Sequence, residues 1–509
     1  MILIDGQTMT IEKLEQIARK KAEVAYSDDA RAKIDRCWNI VEEMVKSGKA
    51  IYGVTTGIGE FARIRVSPEQ GEQLQRNIIY SHAAGTGDPF PEADVRGAMA
   101  LRGNVLARGN SGVRFSTADV FVKMLNRGVT PFVYEKGSVG TSGDLSPLAQ
   151  LAEVCFGEGK AYYKGQLMDG AEAMAKAGIE PVKPTYKEGL GLINGSQMVT
   201  SGSGLLLVDA RRLLKNAFIA SAMTIDALKG VPTAYDARIH AVRPFKGQNV
   251  VAKNLRELMA NSEIIAEKSS KVQDGYSMRC TPQVLGPSVD CWYYVREQIE
   301  TEMNSTADNP LFFPDDNAYL AGGNFHGQCL GMAIDFLCIA MAEVADLSER
   351  HTNRLLNPAL SGLPDFLVDG QGLNSGLMVA QYTAAALVSE NKVLSHPSTV
   401  DSISVSADQE DHVAMSPIAV RKCKEILKNV GAVLAIEMYA AAQAMDFRKP
   451  LKPGRGTKVA YDVIRQYVTF LKQDRVLYPD VNAIAELVRN NTILDAVEAE
   501  IGELPMRLS

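Results

Sequence analysis

Residues 326–356 read HGQCLGMAIDFLCIAMAEVADLSERHTNRLL, and this segment says most about how the chain folds. It contains no proline, and its two glycines lie near its start. As one continuous helix it would be about 45 Å long. Its apolar residues fall on more than one face, and a helix that is apolar all round must be buried. These residues include Leu330, Ala333, Phe336, Ile339, Ala340, Ala342 and Val344.

Helical spacing of apolar residues recurs along most of the chain. It predicts further helices at 68–84, 92–110, 197–229, 376–394, 416–445 and 457–473, and short strands around 159–167. The sequence therefore predicts a mainly α protein with a long central helix bundle. With no repeat and no flexible linker, we expect a single unit over 1–509, with a mixed N-terminal part (1–195) and a helical part (196–509).

Composition excludes several classes of function. The net charge is −6 with no block of like charges, so we expect no nucleic-acid partner. No stretch reaches the roughly 18 uninterrupted apolar residues of a membrane span, and the N-terminus lacks a secretory pattern. The seven cysteines are scattered, which predicts reduced thiols in the cytoplasm. No histidine or cysteine spacing predicts a metal site.

Residues 137–148, GSVGTSGDLSPL, form the most unusual local pattern. They can be read as a glycine-rich loop leading into a helix that starts near Pro147, with Ser146 as its N-cap. A phosphate-binding loop is a second interpretation, but the lysine of the P-loop is missing.

A third interpretation comes from resemblance. The same residues resemble the signature of the aromatic amino-acid ammonia-lyase and aminomutase family, which implies a central helix bundle of the fumarase/aspartase-like type. In that family a triplet of residues closes on itself into a methylidene-imidazolone (MIO). The resemblance implies that Thr141, Ser142 and Gly143 form this electrophile, with no external cofactor. Glycine suits the closing position because a side chain would obstruct the approach of the backbone.

Other segments from about residue 50 to 480 resemble the same family. YGVTTGIG (52–59) implies that Tyr52 is the base for the β-proton, although a tyrosine needs a lowered pKa to act near neutrality. SHAAG (81–85) implies that His82 contacts the substrate ring. GLINGSQ (191–197) implies that Asn194 contacts the electrophile or the amine.

Two more matching segments supply the remaining site residues. QDGYSMRC (273–280) implies that Arg279 binds the substrate carboxylate, for which a guanidinium fork is suited, and that Gln273 and Tyr276 line the catalytic centre. GGNFHG (322–327) implies that Phe325 packs near the MIO ring. Taken singly, each motif has a structural alternative, such as a packed tyrosine, a helical histidine, a turn or a surface arginine.

SADQEDHV (406–413) indicates the substrate. It resembles the histidine-specific branch of the family, whereas branches for phenylalanine and tyrosine carry Gln at the place of Glu410. A carboxylate can accept the N–H of an imidazole, but facing a phenyl ring it would be buried without a partner. Glu410 and His82 thus favour L-histidine; a solvated polar loop is the alternative for 410–412.

Three departures from the family pattern leave room for a related substrate. Thr141 replaces the usual Ala, but its side chain takes no part in ring closure. Asp408 replaces the usual Asn, and Ile58 replaces the usual Phe.

The resemblance implies a homotetramer with shared active sites that converts L-histidine to trans-urocanate and ammonia. Two alternatives stay open. One is an aminomutase, or a lyase for another aromatic or modified histidine-like amino acid. The other is a catalytically silent homologue.

Overall fold

The computed structural model describes residues 1–267 and 271–508, and in this part the chain is mainly α-helical. The helices are α1 (Ile11–Ala18), α2 (Asp28–Lys46), α3 (Gly71–His82), α4 (Glu92–Ala107), α5 (Phe115–Arg127), α6 (Ser146–Cys155), α7 (Gly170–Lys176), α8 (Glu188–Ile193), α9 (Gln197–Ala227), α10 (Ala237–Ala241), α11 (Lys246–Leu258), α12 (Glu263–Ala266), α13 (Tyr276–Arg279), α14 (Thr281–Met303), α15 (Gln328–Leu356), α16 (Pro358–Ser361), α17 (Met378–Leu394), α18 (Ser416–Asp446), α19 (Arg455–Tyr467), α20 (Tyr478–Arg489) and α21 (Thr492–Ile501). Short 3-10 helices occur at Gly59–Arg63, Pro68–Gln70, Pro232–Tyr235 and Asp365–Leu367.

The strands of the described residues are short and form four small sheets. They are β1 (Ile2–Ile4), β2 (Val24–Tyr26), β3 (Thr86–Pro89), β4 (Val129–Pro131), β5 (Tyr134–Lys136), β6 (Lys160–Tyr163), β7 (Gln166–Asp169), β8 (Leu311–Phe313) and β9 (Ala318–Leu320). β1 and β2 pair in parallel; β3–β5, β4–β6–β7 and β8–β9 are antiparallel.

The predicted long helices are present: 326–356 corresponds to α15, 197–229 to α9, and 416–445 to α18. The strands expected around 159–167 are β6 and β7. The sequence reading did not identify α14, because Gly286 and Pro287 lie inside it and both residue types weaken a helical pattern.

The prediction that Ser146 caps α6 is wrong. Ser146 is the first helical residue, Leu145 occupies the N-cap position, and no side chain among the described residues caps the helix. The Ser146 hydroxyl instead accepts hydrogen bonds from the N–H of Ala84 and the side chain of Gln150, both at 3.2 Å.

The chain divides into two compact units. The first comprises Met1–Val208, Val295–Asp335 and Pro397–Arg421; the second comprises Asp209–Tyr294, Phe336–His396 and Lys422–Ser509. The divisions at 208, 294, 335 and 421 fall inside α9, α14, α15 and α18. A sequential boundary near residue 195 therefore does not coincide with the boundaries of the units.

Each unit has its own core. All nine strands of the described chain lie in the first unit, where α4 is buried along almost its whole length. The described residues of the second unit form helices joined by loops, without strands, and the C-terminal half of α18, from Leu434 to Met445, is almost completely inaccessible. None of the described helices combines the length and apolarity that crossing a membrane requires.

Candidate active site

The triplet at 141–143 lies against the segment that precedes α9. Gly143 pairs with Gly195 in an isolated parallel bridge and has a left-handed φ of +76°. A Cβ atom at Gly143 would lie 2.2 Å from the carbonyl oxygen of Gly195. Only glycine can therefore occupy the third position of the triplet.

The first half of the loop is tied to two other segments of the first unit. The carbonyl of Val139 accepts a hydrogen bond from the N–H of Met415 at 2.7 Å, and that of Gly140 accepts from Gly327 at 3.0 Å. These bonds fix the backbone immediately before the triplet.

Thr141, where the sequence departs from the family pattern, makes a specific contact. Its Oγ1 accepts a hydrogen bond from the buried N–H of Ala414 at 3.2 Å, and Thr141 is itself buried. The added hydroxyl thus binds a backbone donor that would otherwise be buried without this acceptor.

Asp144 anchors the end of the triplet to α9. Its Oδ2 accepts hydrogen bonds from the N–H groups of Met198 (2.7 Å) and Val199 (3.0 Å) in the first turn of that helix, and its own N–H donates to the carbonyl of Gly195 at 2.6 Å. These are N–H groups that have no partner within the helix. Complete burial raises the pKa of Asp144 to about 7, although the two N–H bonds act in the opposite direction.

Ser142 and Glu410 are brought together although they are far apart in sequence. Ser142 Oγ donates a hydrogen bond to Glu410 Oε1 at 3.2 Å. Burial raises the pKa of Glu410, and its hydrogen bonds with Ser142 partly offset this. A tight turn presents the carboxylate, because Val405 and Glu410 form an antiparallel bridge.

Asp408, another departure from the family pattern, closes this turn. Its carboxylate accepts a hydrogen bond from Ser404 Oγ, and it lies in a run of three residues with positive φ, Ser406 to Asp408. An aspartate therefore supports the turn that presents Glu410.

Tyr52 lies close enough to Glu410 to be affected by its charge. Its hydroxyl oxygen accepts a hydrogen bond from the N–H of Gly59 at 2.9 Å. Burial, and to a smaller extent the charge of Glu410, raises the pKa of Tyr52, whereas the Gly59 bond lowers it. The contacts within the chain thus oppose the lowered pKa that a tyrosine base needs.

His82 is the last residue of α3 and is half-buried. Its Nδ1 lies 2.7 Å from the carbonyl oxygen of Ile78, which can only accept, so Nδ1 carries the proton and Nε2 is left as an acceptor. Burial lowers the pKa of His82. The side chain is therefore a neutral imidazole that can accept a hydrogen bond.

Asn194 follows α8 and is buried. Its carbonyl accepts a hydrogen bond from Arg102 at 2.9 Å, but its side-chain Oδ1 has no partner among the described residues. A buried amide oxygen without a partner is costly, so this atom is available to a ligand.

A buried cluster of charged residues, which the sequence motifs did not predict, contacts Asn194 through Arg102. Arg102, Lys187 and Asp308 have completely buried side chains, and Asp308 pairs with Arg102 at 3.2 Å and with Lys187 at 2.9 Å. Arg102 also donates to the carbonyl of Gly191 at 3.1 Å. The sequence did not indicate that Arg102 and Lys187 are buried, because charged residues in a helical pattern usually mark the solvent side.

The other predicted site residues are located as follows. Phe325 is half-buried in the first unit, shortly before α15. In the second unit, Arg279 donates to Gln273 Oε1, and its guanidinium lies 4.7 Å from the centre of the Tyr276 ring. Tyr276 is 73% exposed. These three residues form a cluster of their own around α13.

Comparisons with known proteins show which proteins this chain is similar to. A family model described as aromatic amino acid lyase matches residues 9–466. The histidine ammonia-lyase of Alkaliphilus oremlandii is 49% identical over 501 residues, covering 98% of this chain and 99% of that protein. Among solved structures, the tyrosine aminomutase of Streptomyces globisporus has a TM-score of 0.95 at 36% identity, covering 99% of this chain and 100% of that one. The histidine ammonia-lyase of Trypanosoma cruzi has a TM-score of 0.91 at 37% identity, covering 100% and 98%.

Proposed function

Because this chain belongs to the aromatic amino acid lyase family, and is thus a carbon–nitrogen lyase, we propose that it converts L-histidine to trans-urocanate and ammonia. The observation that carries the proposal is the contact between Ser142 and Glu410. It joins the residue expected to become the electrophile to the carboxylate that distinguishes histidine from phenylalanine. We extend the proposal to the whole chain acting as one ammonia-lyase unit.

The proposal includes an MIO closed from Thr141, Ser142 and Gly143, with no external cofactor. The residues fit this group, because Gly143 tolerates no Cβ against Gly195 and the buried Oδ1 of Asn194 has no partner in the described chain. Once formed, the group supplies an electrophile that captures the substrate amine and improves it as a leaving group. Asn194 contacts the electrophile or the amine.

Tyr52 takes the β-proton in this proposal. Of the contacts that affect its pKa, the Gly59 N–H is the one that stabilises the phenolate, while burial and Glu410 oppose it. We therefore expect Tyr52 to act as a base only when substrate binding alters its surroundings.

The remaining residues bind and orient the substrate. Arg279 binds the carboxylate, Gln273 and Tyr276 line the catalytic centre, and Phe325 packs near the ring of the electrophile. Glu410 and His82 bind the imidazole. The neutral His82 offers Nε2 and Glu410 offers a carboxylate, and either acceptor can take the one N–H of the substrate imidazole.

The direct test is near-UV absorbance after the protein is mixed with L-histidine, because a conjugated imidazole acrylate absorbs where histidine does not. We expect a growing band that Ser142→Ala abolishes, and an intact mass two waters below the unmodified sequence in the wild type alone. A wild-type mass without this loss would favour the catalytically silent alternative.

Substrate choice is tested by Glu410→Gln. Replacing the carboxylate by a neutral amide should reduce kcat/KM for L-histidine far more than for L-phenylalanine. An equal reduction for both substrates would remove the argument for histidine.

An aminomutase is the second candidate, favoured by the TM-score of 0.95 with the tyrosine aminomutase structure. Product analysis separates the two, since a mutase returns the amine to the β-carbon and a lyase releases ammonia. A lyase acting on a modified histidine would show itself in the same absorbance assay across a panel of amino acids.

We also propose a cytoplasmic homotetramer with active sites shared between subunits. All seven cysteines are free, which supports a reducing compartment. Large apolar side chains on long helices of the second unit are exposed in the single chain, among them Phe336 at 42% and Ile339 at 49%. Faces of this kind support association between copies.

A further inference from the structure

His351 and Glu437 form a fully buried contact in the second unit that the proposed mechanism does not use. Nδ1 of His351 lies 2.7 Å from Oε1 of Glu437. Thr224 Oγ1 donates a hydrogen bond to the same oxygen at 2.8 Å. The three residues belong to α15, α18 and α9, so the cluster joins three long helices.

The other ring nitrogen of His351 reaches the segment expected to bind substrate. Nε2 lies 2.7 Å from the carbonyl oxygen of Ser277, between Tyr276 and Arg279 in α13. Because a carbonyl oxygen can only accept, Nε2 must carry a proton. Thr281 Oγ1 donates to the same carbonyl at 2.9 Å.

Nδ1 of His351 and Oε1 of Glu437 form a direct hydrogen bond between the two side chains, and Nε2 donates its own proton to Ser277. Removal of either partner would leave the other buried with unsatisfied polar groups, which is costly in the interior.

The segment at α13 needs such support. A helix of four residues is unstable alone, so its position depends on tertiary contacts. The side chains of Tyr276 and Arg279 provide few of them, because Tyr276 is largely exposed and Arg279 contacts Gln273 and the Tyr276 ring. The backbone of α13 is held instead by two hydrogen bonds. The carbonyl of Ser277 accepts one from His351, and the carbonyl of Met278 accepts one from the hydroxyl of Tyr235 at 2.9 Å.

We propose that His351, held by Glu437, is a positioning residue that fixes the backbone of α13 and thereby the direction in which Arg279 presents its guanidinium to a substrate carboxylate. This inference rests on the proposed function, because it depends on the role of Arg279 in binding the substrate.

The test compares His351→Gln and Glu437→Leu with Thr224→Val in the whole chain. Glutamine cannot bridge Ser277 and Glu437 together, so we expect His351→Gln to raise KM about ten-fold with a smaller change in kcat. Glu437→Leu removes the hydrogen-bond partner of Nδ1 and should raise KM in the same direction. Thr224→Val removes a hydrogen bond from the same carboxylate but leaves the contact with Ser277, so KM should stay near the wild-type value.

Thermal melting separates positioning from stability. If all three variants lose similar melting temperature and none changes KM, the cluster is structural and the proposal is wrong. Every α-amino acid carries the carboxylate, so the comparison holds for whichever amino acid the wild type converts. A wrong substrate assignment therefore fails separately from this inference.

A second measurement is independent of activity. In wild-type protein labelled with ¹⁵N-histidine, solid-state NMR should show a proton on Nε2 of His351, with His351→Gln identifying its signal among the six histidines. A ring protonated at Nδ1 alone could not donate to Ser277 and would overturn the proposal, even if the protein showed no lyase activity.

Discussion

Thr141 stands where the family pattern has Ala, and a hydrogen bond accommodates its hydroxyl. Its Oγ1 accepts the N–H of Ala414, a residue with no exposed surface. Thr141→Val keeps the shape but leaves this donor without its acceptor, so we expect a loss of about 1–3 kcal/mol in the free energy of unfolding. Denaturant unfolding checks this.

Thr141→Ser is the matched control, because it keeps the hydroxyl and should keep most of the stability. Ring closure does not use this side chain, so both variants should still lose two waters by intact mass. Equal stability of the valine and serine variants would show that the bond to Ala414 contributes little.

Asp144 should make stability depend on pH. Burial raises its pKa from 3.8 to about 7, so the folded chain retains a proton that the unfolded chain releases. The contribution of this group is most favourable below about pH 4 and is lost as pH rises towards 7. Asp144→Asn removes this dependence, so its melting temperature relative to wild type should increase between pH 5 and pH 7.

The exposed Asp316 provides a control, since Asp316→Asn should change little across the same pH range. A constant difference between wild type and Asp144→Asn at every pH would contradict the assignment of a raised pKa to Asp144.

The residues that we propose to carry the chemistry were predicted from the motifs that surround them in the sequence. The contacts between Ser142 and Glu410, and between Gly143 and Gly195, join positions far apart in the chain, and only folding brings these together. The sequence could not show that Arg102 and Lys187 are buried. A cation is buried only with a partner such as Asp308, and the spacing of residues along the chain does not indicate that partner.

At the scale of the element, α8 depends on a side chain from another helix. Arg102 of α4 donates to the carbonyls of Gly191 and Asn194 at the end of α8 and pairs with Asp308. Arg102→Lys keeps the charge but loses the guanidinium fork, which should destabilise the protein by about 3 kcal/mol or more. Hydrogen–deuterium exchange should increase in α8 and at the start of α9.

Arg36→Lys is the control for this change. Arg36 pairs with Asp315 on the surface, where an ion pair contributes about 1 kcal/mol or less. If exchange in α8 were the same for both variants, Arg102 would have no special role in holding that helix.

Long helices were easier to predict than short elements. Apolar spacing repeated over many turns predicted α9, α15 and α18. In contrast, α13 has a single turn and is held by hydrogen bonds to the carbonyls of Ser277 and Met278. The reading of 457–473 as one helix extended beyond the end of α19 at Tyr467. Helix ends depend on local contacts that apolar spacing does not encode.

For the whole molecule, the proposed tetramer predicts that exposed apolar residues of α15 lie at subunit interfaces. Phe336 lies 5.9 Å from Tyr294, ring centre to ring centre, and both are more than 40% exposed in the single chain. The double change Phe336→Glu and Ile339→Glu should therefore reduce the molar mass measured by light scattering from that of a tetramer.

Leu167→Glu serves as the comparison, because Leu167 has similar exposure, 46%, but lies in the short strand β7. Its variant should keep the wild-type molar mass. A tetramer that persists in the double variant would place the interface elsewhere.

The division into two units could not be read from the sequence, because each unit combines segments that are distant in the chain. The mainly α class followed from helical spacing, but the pairing of residues 397–421 with the N-terminal 208 residues depends on contacts such as Thr141 with Ala414. The spacing of apolar residues indicates which face of a helix is buried, but it does not indicate which element packs against that face.

This interleaving also constrains how the gene can change. The chain passes from one unit to the other after residues 208, 294, 335, 396 and 421, and four of those passages lie within helices. No single crossover between genes can therefore donate or delete one complete unit. The exchange of modules that is possible in beads-on-a-string proteins therefore cannot move either of these units intact in one event.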